Sequence, residues 1–417
     1  MKKILALVLA LCMVFALCAC GSTAAPAASG NDAPAAGNDA PAAETEYMVA
    51  MITDYGDITD QSFNQTTYEA CKAFCTDNNV PFTYFKPAGD NTADRVAMIE
   101  KAVDEGYNVI VMPGYAFGGA IVEAAPEFPD VKFIALDVGA GDILETAVAN
   151  KGETYNYNPA DYNIADYVDI SNVYCCVYQE ELCGYMAGYA AVMMGYHDLG
   201  FLGGMAVPAV VRYGYGFLQG ISDAQQKLGE GAANDVAVNY VYGGQFFGDA
   251  DITAAMDTWY SGGTQVVFAC GGGIYTSAVD ASKKYDGKVI GVDVDQAGVI
   301  ATYAGDDDLS RTITSAMKGL YPATYDTLED VIINGNWANY AGQIATLGLV
   351  SGTDPELNYV QIPMETTQWS DKFTQEDYKA MVAAMYNGEI QVSNDITKKP
   401  ADFGQWMFVI DQGQIKG

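Results

Sequence analysis

The stretch MVAMITDYGDITDQSFN, residues 48–64, sets the interpretation of the rest of the chain. Its apolar first part, residues 48–52, predicts a β-strand. A helix is predicted to begin at Ser62, so residues 53–61 form a loop at the carboxyl end of a strand. Open α/β sheets hold their ligands at this position. The loop also carries three carboxylates, at Asp54, Asp57 and Asp60.

Two interpretations of this loop follow from its residues. In the first it is a turn in which Asp60 or Ser62 caps the following helix, since Ser62 and Gln65 have the spacing of a capping box. In the second the carboxylates and the Ser-Phe-Asn cluster at 62–64 line a binding site. The loop alone does not decide between them.

Strands and helices are predicted to alternate along both halves of the chain. The predicted elements are a helix at 62–77, a strand at 82–85, a helix at 92–105, a strand at 109–112, a helix at 120–127 and a strand at 131–136, then strands at 236–241, 265–269 and 288–292 separated by helices at 251–261 and 275–285. This rhythm predicts parallel sheets with helices on both faces. The halves also repeat each other, because Gly114 precedes Asp137 by 23 residues and Gly271 precedes Asp293 by 22. Two similar α/β lobes predict a cleft between them, where small ligands are usually held.

Composition excludes several classes of function. The net charge of −33 leaves no basic patch for nucleic acid. With His197 as the one histidine, a His-based metal site or a Ser-His-Asp triad is excluded, and we interpret His197 as a surface loop residue. No CxxC pair occurs, so we expect no metal site and no cofactor, and we expect the six cysteines beyond Cys20 to be buried free thiols.

The first 46 residues are interpreted as an export signal and a tether. Residues 1–20 have a positive end, an apolar stretch and the sequence Leu-Cys-Ala-Cys, which resembles a bacterial lipobox with Cys20 as the lipidated residue. An ordinary signal peptide cut elsewhere is the alternative. Residues 21–46 are rich in Ala, Pro, Gly, Asn and Asp, which predicts a flexible linker. We therefore expect an extracytoplasmic protein anchored to the cell membrane by lipid.

The predicted cleft favours a neutral or donor-rich ligand. Its carboxylates would repel an anion and suit hydroxyl and amino donors. The glycine run at 271–273 is not followed by Lys-Ser/Thr, so it is not a P-loop and is interpreted as turn geometry.

Six motifs occur in a characteristic order: TDYGDITDQSFNQ (53–65), YQEELCGYMAGYAA (178–191), FLGGMAVPAVVRYGYGFLQG (201–220), GVDVDQ (291–296), TSAMKG (314–319) and MYNGEIQV (385–392). As an ordered set they resemble the basic membrane protein (BMP) family of ABC-transporter substrate-binding lipoproteins, whose best-understood members bind purine nucleosides. The resemblance implies a type I periplasmic-binding-protein fold, α/β, with two Rossmann-like lobes joined by a three-crossing hinge. It also implies a monomer that delivers a nucleoside to an ABC permease and that is not an enzyme.

We place lobe 1 at 47–176 plus 312–340 and lobe 2 at 177–311 plus 341–417, with crossings near Cys176, Arg311 and Tyr340. The ligand-binding residues that the resemblance implies are Asp54, Phe63, Asn64, Asp137, Phe247, Asp293 and Lys318. A purine would lie between Phe63 and Phe247, which we favour over Phe246. Carboxylates would accept from ribose hydroxyls, and Lys318 would donate to the base.

Simpler interpretations of these residues stay open. Phe63 would be a core residue on the buried face of a helix, and Phe247 would anchor a loop. Asp137 would cap a helix, and Lys318 would be an exposed charge. The chain also departs from the family pattern: Gln61 and Ala206 replace a common Lys and Asp, and 155–167 resembles an insertion. Three alternative functions stay open. The protein would bind a different ligand, such as a vitamin-like heterocycle or a sugar, it would act as a ligand sensor, or it would be a nucleoside hydrolase.

Overall fold

The computed structural model describes residues 46–229 and 236–416. The predicted signal peptide, Cys20 and all but the last residue of the predicted linker lie outside the described residues. No helix within the described part of the chain is both long and apolar enough to cross a bilayer.

Strands and helices alternate through most of the described chain. The strands are β1 (Val49–Ile52), β2 (Phe82–Phe85), β3 (Val109–Pro113), β4 (Lys132–Leu136), β5 (Val173–Tyr178), β6 (Asp198–Gly203), β7 (Ala237–Tyr242), β8 (Val266–Cys270), β9 (Lys288–Asp293), β10 (Thr312–Lys318), β11 (Gln343–Leu347), β12 (Val360–Gln361) and β13 (Phe408–Gln414). The helices are α1 (Phe63–Asp77), α2 (Thr92–Asp104), α3 (Gly118–Ala124), α4 (Ala140–Asn150), α5 (Glu180–Met193), α6 (Pro208–Leu228), α7 (Ala250–Ser261), α8 (Tyr275–Ser282), α9 (Ala297–Ala304), α10 (Leu320–Leu328) and α11 (Gln375–Tyr386).

The first sheet is parallel, and its central strands β1 and β3 are buried on both faces. Its strand order is β11-β5-β4-β3-β1-β2. Side chains of β1 alternate between two cores: Val49 and Met51 pack in a core that includes Phe74 of α1, whereas Ala50 packs in another that includes Ile99 of α2. A strand covered on both sides must be apolar throughout, which explains why β1 and β3 are continuous apolar runs.

The second sheet repeats this architecture with two additions at its edges. Its order is β12-β10-β9-β8-β6-β7-β13. The pairs from β10 to β7 are parallel, β12 runs antiparallel to β10, and β13 runs parallel to β7. The predicted α/β fold with two parallel sheets is confirmed.

The chain passes between the two sheets three times: after β5, between β10 and β11, and between β11 and β12. The predicted boundaries differ from this in two places. Residues 312–318, placed in lobe 1, form a strand that pairs in the second sheet, and residues 343–347, placed in lobe 2, form a strand that pairs in the first. The local sequence does not show which sheet each strand joins, because the strands they pair with lie far away along the chain.

Helices α5 and α6 pack unusually closely because glycines face each other across their contact. A Cβ atom on Gly188 would lie 2.2 Å from the backbone oxygen of Phe217, and one on Gly216 would lie 2.0 Å from that of Glu181. Gly184 and Gly220 occupy equivalent positions one turn away. At the N-terminal ends of the two helices, Arg212 of α6, which lines the cavity described below, donates a hydrogen bond to Glu180 of α5.

Two expectations about single residues are met in the described chain. All six cysteines beyond Cys20 are buried free thiols. His197 is exposed in the loop between α5 and β6.

Candidate binding site between the two sheets

One cavity of about 840 Å³ is lined by the carboxyl ends of strands from both sheets. Asp54, Gly114 and Asp137 follow or end strands of the first sheet, and Asp293 and Lys318 end strands of the second. The volume is within the range of about 300–1,000 Å³ that is usual for small-molecule sites. All seven predicted residues line it: Asp54, Phe63, Asn64, Asp137, Phe247, Asp293 and Lys318.

Asp54 is held in the cavity wall by the loop that follows it. Its Oδ1 accepts from the backbone amides of Tyr55 and Gly56, both at 2.6 Å. Gly114 makes room for it, because a Cβ there would lie 3.0 Å from Asp54 Oδ2. Burial raises the pKa of Asp54, and the two backbone hydrogen bonds oppose that rise.

The loop before α1 combines both interpretations of its sequence. Asp60 caps the helix, since its Oδ1 accepts from the backbone amides of Ser62 at 2.9 Å and Gln65 at 3.1 Å. The capping-box prediction for Ser62 is wrong, because its side chain makes no cap hydrogen bond. Its hydroxyl instead donates to Asp293 Oδ2 at 2.6 Å. The start of α1 is therefore bonded to the end of β9 in the other sheet.

A cluster of charged side chains, here called the Lys318 cluster, occupies the centre of the site. The Lys318 ammonium lies 2.5 Å from Asp137 Oδ2, 3.6 Å from Asp293 Oδ1 and 3.7 Å from Glu180 Oε1. Arg212 completes the cluster, and its Nε donates to Glu180 Oε2 at 2.7 Å. Lys318 is 5% exposed, so the alternative that it is an exposed charge is wrong.

The protonation equilibria in this cluster follow from burial and from the excess of acids. Burial raises the pKa of Asp137 to about 7; nearby Glu180 and Asp293 add to the rise and Lys318 opposes it. For Lys318, burial lowers the pKa, but the attraction of Asp137, Asp293 and Glu180 outweighs burial and the net shift is upward. Lys318 therefore stays charged while Asp137 titrates near neutral pH.

Some acceptor atoms in this cluster have no hydrogen-bond partner within the described residues. They are Asp137 Oδ1 and Glu180 Oε1. Asn64 Oδ1, in the first turn of α1, also has none. Buried acceptors without partners are costly, by about 1–3 kcal/mol each, so a ligand that donates hydrogen bonds suits this cavity.

Aromatic rings lie on two sides of the charged cluster. The Lys318 ammonium is 4.7 Å from the ring centroid of half-buried Phe63. On the second-sheet side, Phe246 is half-buried and lies 6.2 Å from the ring of Tyr55. Phe247 is 60% exposed. Both phenylalanines line the cavity, so the preference for Phe247 stays a prediction.

The glycine run at 271–273 serves the packing of Phe246. A Cβ on Gly271 would lie 2.8 Å from the Phe246 ring, and the Gly273 amide donates to the Phe246 carbonyl at 2.9 Å. The Gly273 amide is therefore not available to bind a phosphate. The structure agrees with the interpretation of this run as turn geometry.

Sequence reasoning missed Glu180 and Arg212 as members of the site. Each had a signal: Glu180 is an acid in a helix whose 14 residues are all buried, and Arg212 is a cation near the N-terminal end of α6, where the helix dipole disfavours it. Residues from the 155–167 segment, Tyr155 and Tyr157, also line the cavity, as does Ala206.

Two parallel sheets joined by three chain passages, with a ligand-sized cavity between them, define the type I periplasmic-binding-protein fold class. A family model described as Bmp, ABC transporter substrate-binding protein PnrA-like, matches residues 47–395. The chain belongs to this Bmp family. This membership confirms two predictions: the chain is a substrate-binding protein of the BMP family, and it is not an enzyme.

Two relatives and a solved structure agree with the assignment. The chain is 25% identical over 367 residues to the "ABC transporter nucleoside-binding protein BmpA" of Lactococcus lactis subsp. cremoris, covering 84% of this chain and 90% of the relative. It is 24% identical over 324 residues to an "Uncharacterized lipoprotein" of Pyrococcus furiosus, covering 73% and 68%. A solute-binding protein structure from Aeropyrum pernix has a TM-score of 0.58 at 19% identity, covering 86% of this chain and 90% of that one, which supports the fold.

Proposed function

We propose that this protein captures a purine nucleoside outside the cell, in the cavity between its sheets, and delivers it to an ABC permease. The proposal depends most on one observation: aromatic rings and strand-end carboxylates from both sheets line the same cavity. A nucleoside combines a flat base with vicinal hydroxyls, and it matches that combination. The L. lactis relative described as nucleoside-binding supports the same ligand class.

In this proposal the base stacks between Phe63 and Phe247. Stacking of a base on an aromatic side chain contributes about 1–3 kcal/mol per base. The Lys318 ammonium lies 4.7 Å from the ring centroid of Phe63, so a base stacked beside that ring would have a cation close to it. Asn64 Oδ1 and Asp54 Oδ2 offer acceptors to amino groups of the base, and Lys318 is the available cation for a ring nitrogen or carbonyl.

The ribose hydroxyls would be bound by Asp137 and Asp293. Charged acceptors form the stronger hydrogen bonds, and a carboxylate can accept from two vicinal hydroxyls. A nucleotide would place phosphate charge beside Asp54, Asp137 and Asp293, so the proposal favours nucleosides over nucleotides.

The proposal includes an anchor at Cys20 and a flexible linker at 21–46, both inferred from sequence. The Pyrococcus relative described as a lipoprotein supports this location. Mass spectrometry of the N-terminal peptide from membranes tests it: a diacylglyceryl group on Cys20 is expected, and its loss is expected in Cys20→Ser.

Calorimetric titration of the purified protein, unfolded and refolded to remove carried ligand, tests the ligand. The panel is adenosine, guanosine, inosine, cytidine, adenosine monophosphate and ribose. We expect 1:1 binding of the purine nucleosides and a loss of about 5- to 150-fold in affinity for Phe63→Ala and Phe247→Ala, from the stacking energy above. Phe408→Ala is the matched control, because Phe408 is also exposed, at 64%, and does not line the cavity. Absence of binding across the nucleosides would refute the proposal.

A further inference from the structure

Residues 396–416 lie beyond the part of the chain that matches the family model, which ends at residue 395. They contribute to the site nevertheless. Ile396 lines the cavity, and β13 extends the second sheet by pairing in parallel with β7. The amide of Ile415 then donates to the carbonyl of Tyr242, at the end of β7, at 2.8 Å. This pairing brings Lys416 beside the loop 243–249, which carries Phe246 and Phe247.

Lys416 contacts two side chains of that loop. Its ammonium forms an ion pair with Asp249, and it lies 3.4 Å from Oε1 of Gln245. The loop bends around it, since Gly244 has a φ of +85° and a Cβ there would lie 2.8 Å from the Lys416 carbonyl oxygen. The side chains of Lys416 and Asp249 are 32% and 24% exposed, so the pair is partly shielded from water.

These two loop side chains hold the backbone that presents the aromatic rings. Gln245 Nε2 donates to the carbonyl of Phe247 and to Asp249 Oδ2, both at 2.9 Å. Asp249 Oδ1 caps α7 by accepting from the amides of Asp251 and Ile252, both at 3.0 Å. Lys416 is thus bonded to the residues that link Phe247 to a helix end.

We propose that Lys416 is a positioning residue of the ligand site: through Gln245 and Asp249 it fixes the loop that presents Phe247 to a bound base. The inference rests on the proposed function in that the ligand it concerns is a stacked nucleoside. It extends the binding site to a segment outside the family-matched residues.

Calorimetry with adenosine on the purified full-length protein tests the inference. Because the ion pair is partly exposed, Lys416→Met is expected to weaken adenosine binding by about two- to fivefold. Lys416→Arg, which keeps the cation, is expected to restore the affinity. Lys379→Met, which removes an exposed lysine of α11, is the matched control and is expected to change nothing. The melting temperature of each variant separates a loss of positioning from general destabilisation.

A double-mutant cycle shows whether Lys416 acts through the aromatic ring. In a Phe247→Ala background, Lys416→Met is expected to cause no further loss of affinity. Equal adenosine affinity in the wild type and Lys416→Met would overturn the inference while leaving the proposed function intact. An undiminished additional loss in the Phe247→Ala background would also overturn it.

Hydrogen exchange measures the loop without a ligand, so it decides the inference even if no nucleoside binds. Lys416→Met is expected to increase exchange in peptides that cover 243–252, including the capped amides of Asp251 and Ile252. If the wild type binds no nucleoside, the proposed function fails, and faster exchange in this region still supports the positioning role. Unchanged exchange would overturn that role.

Discussion

Replacing Lys318 by methionine removes the ammonium from a cluster of three carboxylates. Methionine has a similar length and no charge, so packing changes little while Asp137, Asp293 and Glu180 lose their shared partner. Arg212 keeps its hydrogen bond to Glu180, so this acid retains a partner. The variant therefore isolates the electrostatic role of Lys318.

Removing one partner from a buried ion pair typically costs about 3–5 kcal/mol, because the remaining charge is left without compensation. Lys318 and Glu180 are almost completely enclosed, with side chains 3% and 0% exposed. We therefore expect Lys318→Met to lower the free energy of unfolding by about 3–5 kcal/mol at pH 8. Partial protonation of Asp137 sets the lower end of this range.

The loss of stability caused by Lys318→Met is expected to be smaller at acidic pH. Lys318 holds down the pKa of Asp137, which burial raises to about 7, so its removal raises that pKa further. A carboxyl group whose pKa is higher in the folded than in the unfolded state binds more protons when folded, and its contribution to stability therefore falls as pH rises. The defect of Lys318→Met should accordingly shrink between pH 8 and pH 5.5.

Urea unfolding at both pH values, followed by tryptophan fluorescence, measures these differences. Lys284→Met is the matched control, because Lys284 pairs with Asp257 at the surface and such pairs contribute about 0–1 kcal/mol. The double variant Lys318→Met/Asp137→Asn should recover part of the lost stability by removing one uncompensated acid. Wild-type stability of Lys318→Met at pH 8, or a defect that grows in acid, would refute this account of the cluster.

Two further predictions concern helix packing and pH. Gly188→Ala should destabilise the protein by about 1–3 kcal/mol or more in chemical denaturation, because the new methyl group would lie 2.2 Å from the Phe217 carbonyl oxygen. Gly298→Ala, with open space around its Cβ, should leave stability unchanged or slightly increased, and equal effects of the two would contradict the packing model. Nucleoside affinity should rise from pH 6 to pH 8 in calorimetry, because Asp137, with a pKa of about 7, accepts more strongly once ionised. Glu181→Gln is the control, because the Glu181 carboxyl also has a pKa of about 7 but lies outside the cavity lining, and the rise in affinity should persist in this variant. If the rise also persisted in Asp137→Asn, Asp137 would not be its source.

Most elements of the two sheets could be predicted from sequence because their local signals agree with the fold. Strands buried on both faces must be apolar, and the helices between them carry apolar residues at helical spacing. The strand predicted at 82–85 matches β2. The helix predicted at 120–127 is shifted from α3, which spans Gly118–Ala124. Local patterns determine what an element is more firmly than where it ends.

The assignment of strands to sheets could not be predicted in the same way. Residues 312–318 and 343–347, which form β10 and β11, were each placed in the wrong lobe. Which sheet a strand joins depends on neighbours that lie far away along the chain, and its own sequence carries no information about them.

Part of the site was predictable for a geometrical reason. The carboxyl ends of neighbouring parallel strands meet at one edge, so acids that follow strands, such as Asp54 and Asp137, come together without any knowledge of packing. Glu180 and Arg212 required more, because their contact with each other joins α5 to α6, whose close packing depends on glycines. That contact depends on matching two helices in space, and neither helix shows it alone.

The arrangement of charges also links recognition to closure of the site. Asp137 follows a strand of the first sheet, whereas Asp293 and Lys318 end strands of the second, so the pair of Lys318 with Asp137 forms only when the two sheets approach. Ser62 and Asp293 form a second bond of this kind. A ligand hydroxyl that donates to Asp137 would bind the carboxylate that Lys318 holds from the opposite sheet, and its binding energy would favour the same approach. A base without its sugar would stack on the aromatic rings but would lack these donors. It should therefore favour closure less than the intact nucleoside does.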